Sequence, residues 1–372
     1  MKTTSPQSLA QKFTSSAAAV LTALTLGAVL ASGPAHAAKS EKPVQIDDVA
    51  IENPDFAKLF NVTPKQFKGM KKIAIPIFTV ESAIKTGAGI RADYGDGVNA
   101  LTVTYLLAGV PEKEMQVAVN GAYDELVADL QAIGVEVVPA DAVKATAAYK
   151  KAARTLTSPT TQSGGSAEAL VFSAHDMALG LSNSRFIFTR TMQSTGSGAG
   201  GQIMGLVQMA NMVGQMASQV SDASVANEIG AELGVPTLTV QIPLEFITTK
   251  VKSQGFFSGG SSVEVGAALR LSISPQAIIA FNNLNSSASE FQYMMTTAPM
   301  TVTGTPVKEV RDTSSIALNL GLMALSSLAG SKSSSSIKEK TAEADPVKYV
   351  ESAAYPARKF SKLVVETVKA MQ

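Results

Sequence analysis

The chain has no cysteine and no tryptophan in its 372 residues, and its two histidines are His36 and His175. Without cysteine there is no disulfide framework, no thiolate nucleophile and no cysteine to carry an amino-terminal lipid. With so few imidazoles, a zinc site, which draws on several His or Cys ligands, is close to excluded, whereas an all-oxygen calcium or magnesium site is not. An excess of one charge is missing too. Lys and Arg number 31 against 30 Asp and Glu, which gives no electrostatic reason to expect a nucleic-acid partner.

Charge is also sparse at the amino terminus, where Lys2 and Lys12 are the only charged residues before Lys39. The uncharged apolar run Ala17 to Ala31 is too short for a comfortable membrane span. Gly33-Pro34 breaks it, and Ala35-His36-Ala37 follows as a small-x-small cleavage site. These n-, h- and c-regions predict a secretory signal over residues 1–37, cleaved after Ala37, with Ala38 as the alternative. The expected location is the periplasm or the outer-membrane periphery of a Gram-negative bacterium. A mature chain of roughly 335 residues can bury a full core. It keeps one histidine, His175.

What is present is an α/β pattern with interruptions. Residues 38–70 form a polar extension with several prolines. Residues 71–156 are the first part of an α/β domain. They run from the apolar strand "IAIPIFTV", bent or near an edge at Pro76, through a Gly-rich loop to a strand over Ala100 to Val110. A helix follows Pro111 and stops at Gly134, and its residues Met115, Val119, Ala122, Leu126 and Leu130 share one face. "VEVVP" predicts a short strand, and a second helix runs from Ala142 to about Leu156. Residues 157–222 are a Ser/Gly/Met-rich insert, with strands "ALVFSA" and "SRFIFTRTM" flanking His175. Residues 223–311 resume the domain: the helix "VANEIGAELG", then a hairpin of "VPTLTVQIPLEFITTKV" with "SSVEVGAALRLSIS", continued by "QAIIAFNNLNSS". Residues 312–340 are an apolar, Ser-rich loop. Residues 341–372 are a carboxy-terminal helical segment whose helix follows Pro356.

Four stretches are candidates for function. Gly87-Ala88-Gly89-Ile90-Arg91-Ala92 spells the G-x-G-x-x-A dinucleotide fingerprint after an apolar run. The fingerprint needs its first glycine directly after the strand and a helix starting inside the motif. Here six residues separate Val80 from Gly87, and Tyr94-Gly95-Asp96-Gly97 breaks the chain instead. The stretch therefore predicts a loop between two strands, with no nucleotide and no cofactor. His175-Asp176, with Ser173 and Ser182 nearby, is the only material for a Ser-His-Asp hydrolase, and no G-x-S-x-G elbow surrounds either serine. Asp93, Asp96 and Asn99 offer hard oxygens, but too few for a calcium loop, so no metal is expected. The Met-rich segment 202–220 places Gln208, Asn211, Gln215 and Gln219 on one narrow helical stripe, apolar elsewhere. Its Met204, Met209, Met212, Val213 and Met216 predict core first, an oligomer contact second and a membrane contact third.

The order of strand "KKIAIPIFTV", helix "AYDELVADLQAIG", strand "VEVVPAD" and helix "AVKATAAYKKA", followed by "VANEIGAELGVPTLTVQIPLEFI" and "VEVGAALRLSIS", resembles a known domain. It is similar to the periplasmic domain of the curli-secretion channel family (CsgG-like), also seen in TolB amino-terminal domains and outer-membrane activators of peptidoglycan synthases. The resemblance covers about half of the mature chain. It departs from the family in lacking the lipid-anchoring cysteine and in carrying inserts at 157–222 and 284–340. It implies a mixed sheet with packed helices in two or three layers, and no catalytic residues. The fold class expected is α/β to α+β. The function expected is that of an exported, non-enzymatic envelope protein that binds partners or itself in envelope biogenesis or secretion. The alternatives are a small-ligand binder and, last, a hydrolase using His175. Amino-terminal sequencing of the exported form checks the signal: the mature protein should begin at Ala38, and intact Met1 in the soluble fraction would refute that.

Overall fold

The computed structural model describes residues 43–65, 70–93, 98–152, 158–164, 167–178, 223–253, 263–274, 277–282, 292–304, 306–313 and 334–372. In chain order the elements are β1 (Val44–Gln45), α1 (Phe56–Leu59), β2 (Lys72–Asp93), β3 (Val98–Ala108), α2 (Glu112–Ala132), β4 (Glu136–Val137), α3 (Ala140–Ala145), α4 (Ala147–Ala152), β5 (Thr160–Gly164) and β6 (Ala167–Ser173). Then come α5 (223–233), β7 (Thr237–Ser253), β8 (Val263–Ile273), β9 (Ile278–Asn282), β10 (Gln292–Met295), β11 (Met300–Thr301), β12 (Val307–Thr313), β13 (Ser334–Ala344) and α6 (Pro346–Met371). The class is α+β, with a mixed sheet and several packed helices.

The centre of the sheet is a parallel pair. β2 runs beside β7 from Ala74↔Thr237 to Ser82↔Leu244. β6 lies antiparallel on the other edge of β2 over Thr79 to Lys85. β9 lies antiparallel on the other edge of β7 over Thr237 to Gln241. Strands covered on both faces read as continuous apolar runs rather than alternating ones, which is why "IAIPIFTV" shows no alternation. Pro76 sits where the β2–β7 register shifts, between Ala74 and Ile77, a position that tolerates its missing N–H.

Helices α2 and α6 cover one face. Phe78 meets Tyr123 of α2 edge-on, with ring centroids 5.6 Å apart. The buried Ser82 and Tyr349 hydroxyls share a hydrogen bond of 2.5 Å, which ties α6 to β2. Arg358 of α6 pairs with Glu125 of α2 at 3.1 Å. The opposite face carries a second, smaller cluster in which Ala74 and Ile77 pack with Val143, Tyr149, Ala226 and Ile229 of α3, α4 and α5.

Several expectations need correction. The Gly-rich stretch at 87–92 is strand, not loop, because β2 continues to Asp93 and pairs with β3 throughout. The helix expected over 142–156 is two short helices. Thr146 leaves helical geometry at ψ 150°, and its hydroxyl caps α4 by accepting from the Tyr149 N–H at 3.2 Å. Glu232 of α5 completes that cap, since its carboxylate accepts from the Ala147 and Ala148 N–H groups at 2.7 Å each. The last helix begins ten residues before Pro356, at Pro346, because Asp345 caps it by accepting from the Lys348 N–H. Proline at the first helical turn costs nothing there, and Pro356 is carried inside the helix. β5 and β6 belong to the sheet, so the expected insert at 157–222 starts too early. Residues 334–340 of the expected loop are strand. β9 returns to the first half of β7 rather than extending the β7–β8 hairpin. The expected strand at 184–192 and the helix at 202–220 lie outside the described residues.

The Ser82–Tyr349 bond gives a test. Tyr349→Phe should cost about 1–3 kcal/mol by leaving a buried hydroxyl without a partner. Adding Ser82→Ala should recover most of that loss, as read by urea unfolding.

Candidate functional site

The parallel pairing of β2 with β7 has a geometric consequence. Both strands leave the helix-covered body at the same end of the sheet, and each continues into an antiparallel hairpin. β2 and β3 pair from Lys85↔Leu106 to Asp93↔Val98. β7 and β8 pair from Leu244↔Ile273 to Ser253↔Val263. The register sorts each hairpin into two rows. In the first, Ala88, Ile90, Leu101 and Val103 share one row, while Gly87, Gly89, Arg91, Thr102 and Thr104 share the other. In the second, Ile247, Val251, Val265 and Leu269 share one row, and Thr248, Lys250, Lys252 and Glu264 share the other. Asn99 and Thr249 interrupt the apolar rows, and Val98, Leu106 and Ala268 the others, but the prevailing alternation is that of strands that separate two environments. The bulge between Ala83 and Lys85 reverses the alternation of β2 where it leaves the body. Counted through that bulge and across the β2–β7 pairs, both apolar rows fall on the same side of the sheet. Beyond them β13 runs parallel to β3, and β12 pairs with β13.

His175 lies in the body, at the end of β6. It opens a tight turn in which both His175 (φ 48°) and Asp176 (φ 53°) are left-handed, a conformation that costs energy for residues other than glycine. A polar stripe on α2 holds the turn. Gln116 donates to the Ser173 carbonyl at 2.7 Å, and Asn120 accepts from the His175 N–H at 3.0 Å. Asp124 meets the His175 ring nitrogen Nε2 at 2.7 Å. From α3, Lys144 donates to the His175 carbonyl at 3.3 Å. These three α2 residues are spaced four apart, so one helix face clamps the turn. A hydrolase would also need a serine on the imidazole. The Ser173 hydroxyl is buried with no hydrogen-bond partner, and Ser182 lies outside the described residues. The geometry therefore brings together His175 and a carboxylate, but no serine.

The other polar feature is one the sequence reading passed over. Glu81 stands in the middle of β2, 3% exposed, on the face turned away from α2 and α6. Burial pushes its carboxyl up to about 8, and among the described residues no donor or opposite charge stands beside it. Its own cross-strand partners are Val171 and Pro243, and the next row on that face, two residues back along β2, is the buried polar set Ser173, Thr79 and Gln241. The signal was in the sequence, where Glu81 is the only charged residue between Lys72 and Lys85.

Of the residues expected to matter, Asp93 ends β2 and Asn99 lies in β3. Asp96 lies outside the described residues, as do Met204, Met209, Met212, Val213 and Met216. Among the described residues no group of three or more His, Cys, Asp or Glu could hold a metal, and no helix is long and apolar enough to cross a membrane. No protein-family model matches the chain, and no curated protein or solved structure matches it either.

Glu81 yields a pH prediction. Its folded-state value lies above the ordinary 4.5, so between about pH 4.5 and 8 the folded chain keeps a proton that the unfolded chain gives up. Stability should be greatest below that window and fall as pH rises through it, by at most about 1.4 kcal/mol per pH unit. Urea titrations with choline chloride as the only salt check this. The parent should show the fall and Glu81→Gln should not.

Proposed function

We propose that this is an exported, non-enzymatic envelope protein that acts by assembling with itself through its two hairpins. The observation that carries the reading is the pair of two-faced hairpins, which leave one end of the sheet with their apolar rows on one side. The base of each hairpin belongs to the body, since Tyr105, Leu107, Ile247 and Leu271 are buried in the main core, and it is the strands beyond them, with their length and alternation, that call for an environment outside the body. Two strand edges support assembly rather than simple docking. Among the described residues, β8 is paired on its outer side only over Leu271 to Ile273, by β11 and the Val302 N–H that follows it, and β12 forms a ladder only with β13. β12 ends the order β1-β11-β8-β7-β2-β3-β13-β12, and β11 and β1 cover only the body end of β8, where β12 also approaches it, so the open edges are those of the outer parts of the hairpins. Pairing of one copy's β12 edge with the next copy's β8 edge is head-to-tail, an arrangement that gives a ring where the rotation closes and a filament where it does not, and the proposal commits to the ring. A ring of such hairpins presents one apolar and one polar surface, which suits contact with a membrane without a lipid anchor.

The reading extends the expectation drawn from the order of elements in the sequence, and a role in secretion or outer-membrane assembly at the periplasmic side is part of the proposal. Its test is the mass and vesicle binding of the mature chain. Light scattering should show a concentration-dependent oligomer that sediments with phospholipid vesicles. The pair Ile90→Lys and Val251→Lys should give a monomer that stays in solution and keeps the parent's circular dichroism and melting temperature within a few degrees. An unchanged mass and vesicle fraction in that variant would overturn the proposal.

A further inference from the structure

On the sheet face turned away from α2 and α6, Ser173, Thr79 and Gln241 stand in one cross-strand row on β6, β2 and β7, and Glu81 follows two residues further along β2. Thr79 and Ser173 are fully buried, Glu81 is 3% exposed and Gln241 6%. The register sets Thr79 and Ser173 opposite each other, yet among the described residues neither hydroxyl bonds the other or any further group. Buried hydroxyls almost always find a partner, and leaving one unpaired costs free energy. A buried carboxyl with no donor and no counter-charge is costlier still. The nearest lysine along β2, Lys85, is spent on Glu168 at 2.9 Å.

We propose that this row is a binding site for a monovalent alkali cation, held by Thr79 Oγ1, Ser173 Oγ, Gln241 Oε1 and the Glu81 carboxylate. All of these donors are hard oxygens, the type such ions take. One carboxylate balances one positive charge. A calcium ion draws six to eight oxygens and usually several carboxylates, and among the described residues no group of three acidic or imidazole side chains exists. Burial decides against an organic ligand, because Thr79 and Ser173 present no surface to solvent and Glu81 and Gln241 almost none. A water molecule would satisfy the hydroxyls and leave Glu81 protonated, whereas a bound cation takes the place of that proton, so the site fills most readily near and above about pH 8. The site lies in the body and does not depend on how the hairpins assemble.

The experiment is thermal unfolding of the mature protein at constant ionic strength, replacing choline chloride by sodium or potassium chloride. The expected result is a saturable rise in Tm with one or both alkali ions, the sodium and potassium arms ranking the two. At salt about 100 times the dissociation constant, the folding equilibrium should shift about a hundredfold. The rise should vanish in Glu81→Gln, which keeps the side chain's size, and weaken in Thr79→Val. No rise beyond that in choline, an equal rise in Glu81→Gln, or a rise with calcium alone would each overturn the proposal. If Glu81→Gln does not fold, sodium NMR on the parent decides. Line broadening that potassium reverses supports the site, and its absence overturns it.

Discussion

Everything in this fold depends on β2 and β7 running parallel and side by side. A parallel pair needs a crossover, and the crossover carries helix layers to both faces of the body. The same parallel sense sends both strands out of the same end. An antiparallel central pair would have sent the hairpins to opposite ends, and no common surface would exist. The pairing ends at Ser82↔Leu244, and the bulge at Ile84 follows within two residues. Body and hairpin are thus divided at one place in each strand. Before it the chain is buried on both faces; after it, apolar and polar residues largely alternate.

That division explains what could be read from the sequence. The body helices were legible because their burial is one-sided. Met115, Val119, Ala122, Leu126 and Leu130 are buried in α2, and Phe360, Leu363, Val364, Thr367, Val368 and Met371 in α6, as their spacing required. Gly134 and Gly234 end α2 and α5 with positive φ, 84° and 67°, where a residue without Cβ is favoured. The long strand and hairpin of β7 and β8 were legible for the same kind of reason. The glycines of β2 were not. Gly87 and Gly89 look like loop because glycine is depleted in strands. In β2 they fall together on the row that also holds Arg91, opposite Thr102 and Thr104 of β3, so the pattern that mattered was every second residue and not the glycine count.

The start of α6 and the break after α3 were missed for a different reason. Both are decided by single side chains reaching a helix end. Asp345 caps α6 from within its own segment. The start of α4 is capped by Glu232, 84 residues away in sequence from the Ala148 N–H it accepts from. A cap supplied from another element has no local signature. The clamp on the His175 turn has the same character. Gln116, Asn120 and Asp124 look like the wet stripe of an amphipathic helix, and only the fold shows that the stripe is spent on holding two left-handed residues at the end of β6.

The polar row around Glu81 lies where these two halves of the molecule meet. Glu81 precedes the bulge by three residues, and Gln241 lies three before Leu244, the last β7 partner of β2. A charge compensated there stiffens the last rung of the body, the point from which both hairpins take their direction. Linkage then follows without any further contact. If a cation favours the rigid arrangement of β2 and β7, and assembly needs the hairpins held in one plane, each event lowers the cost of the other by the same factor. The acidic side chain that is hardest to justify as a stabiliser of the body is well placed to serve what extends beyond it.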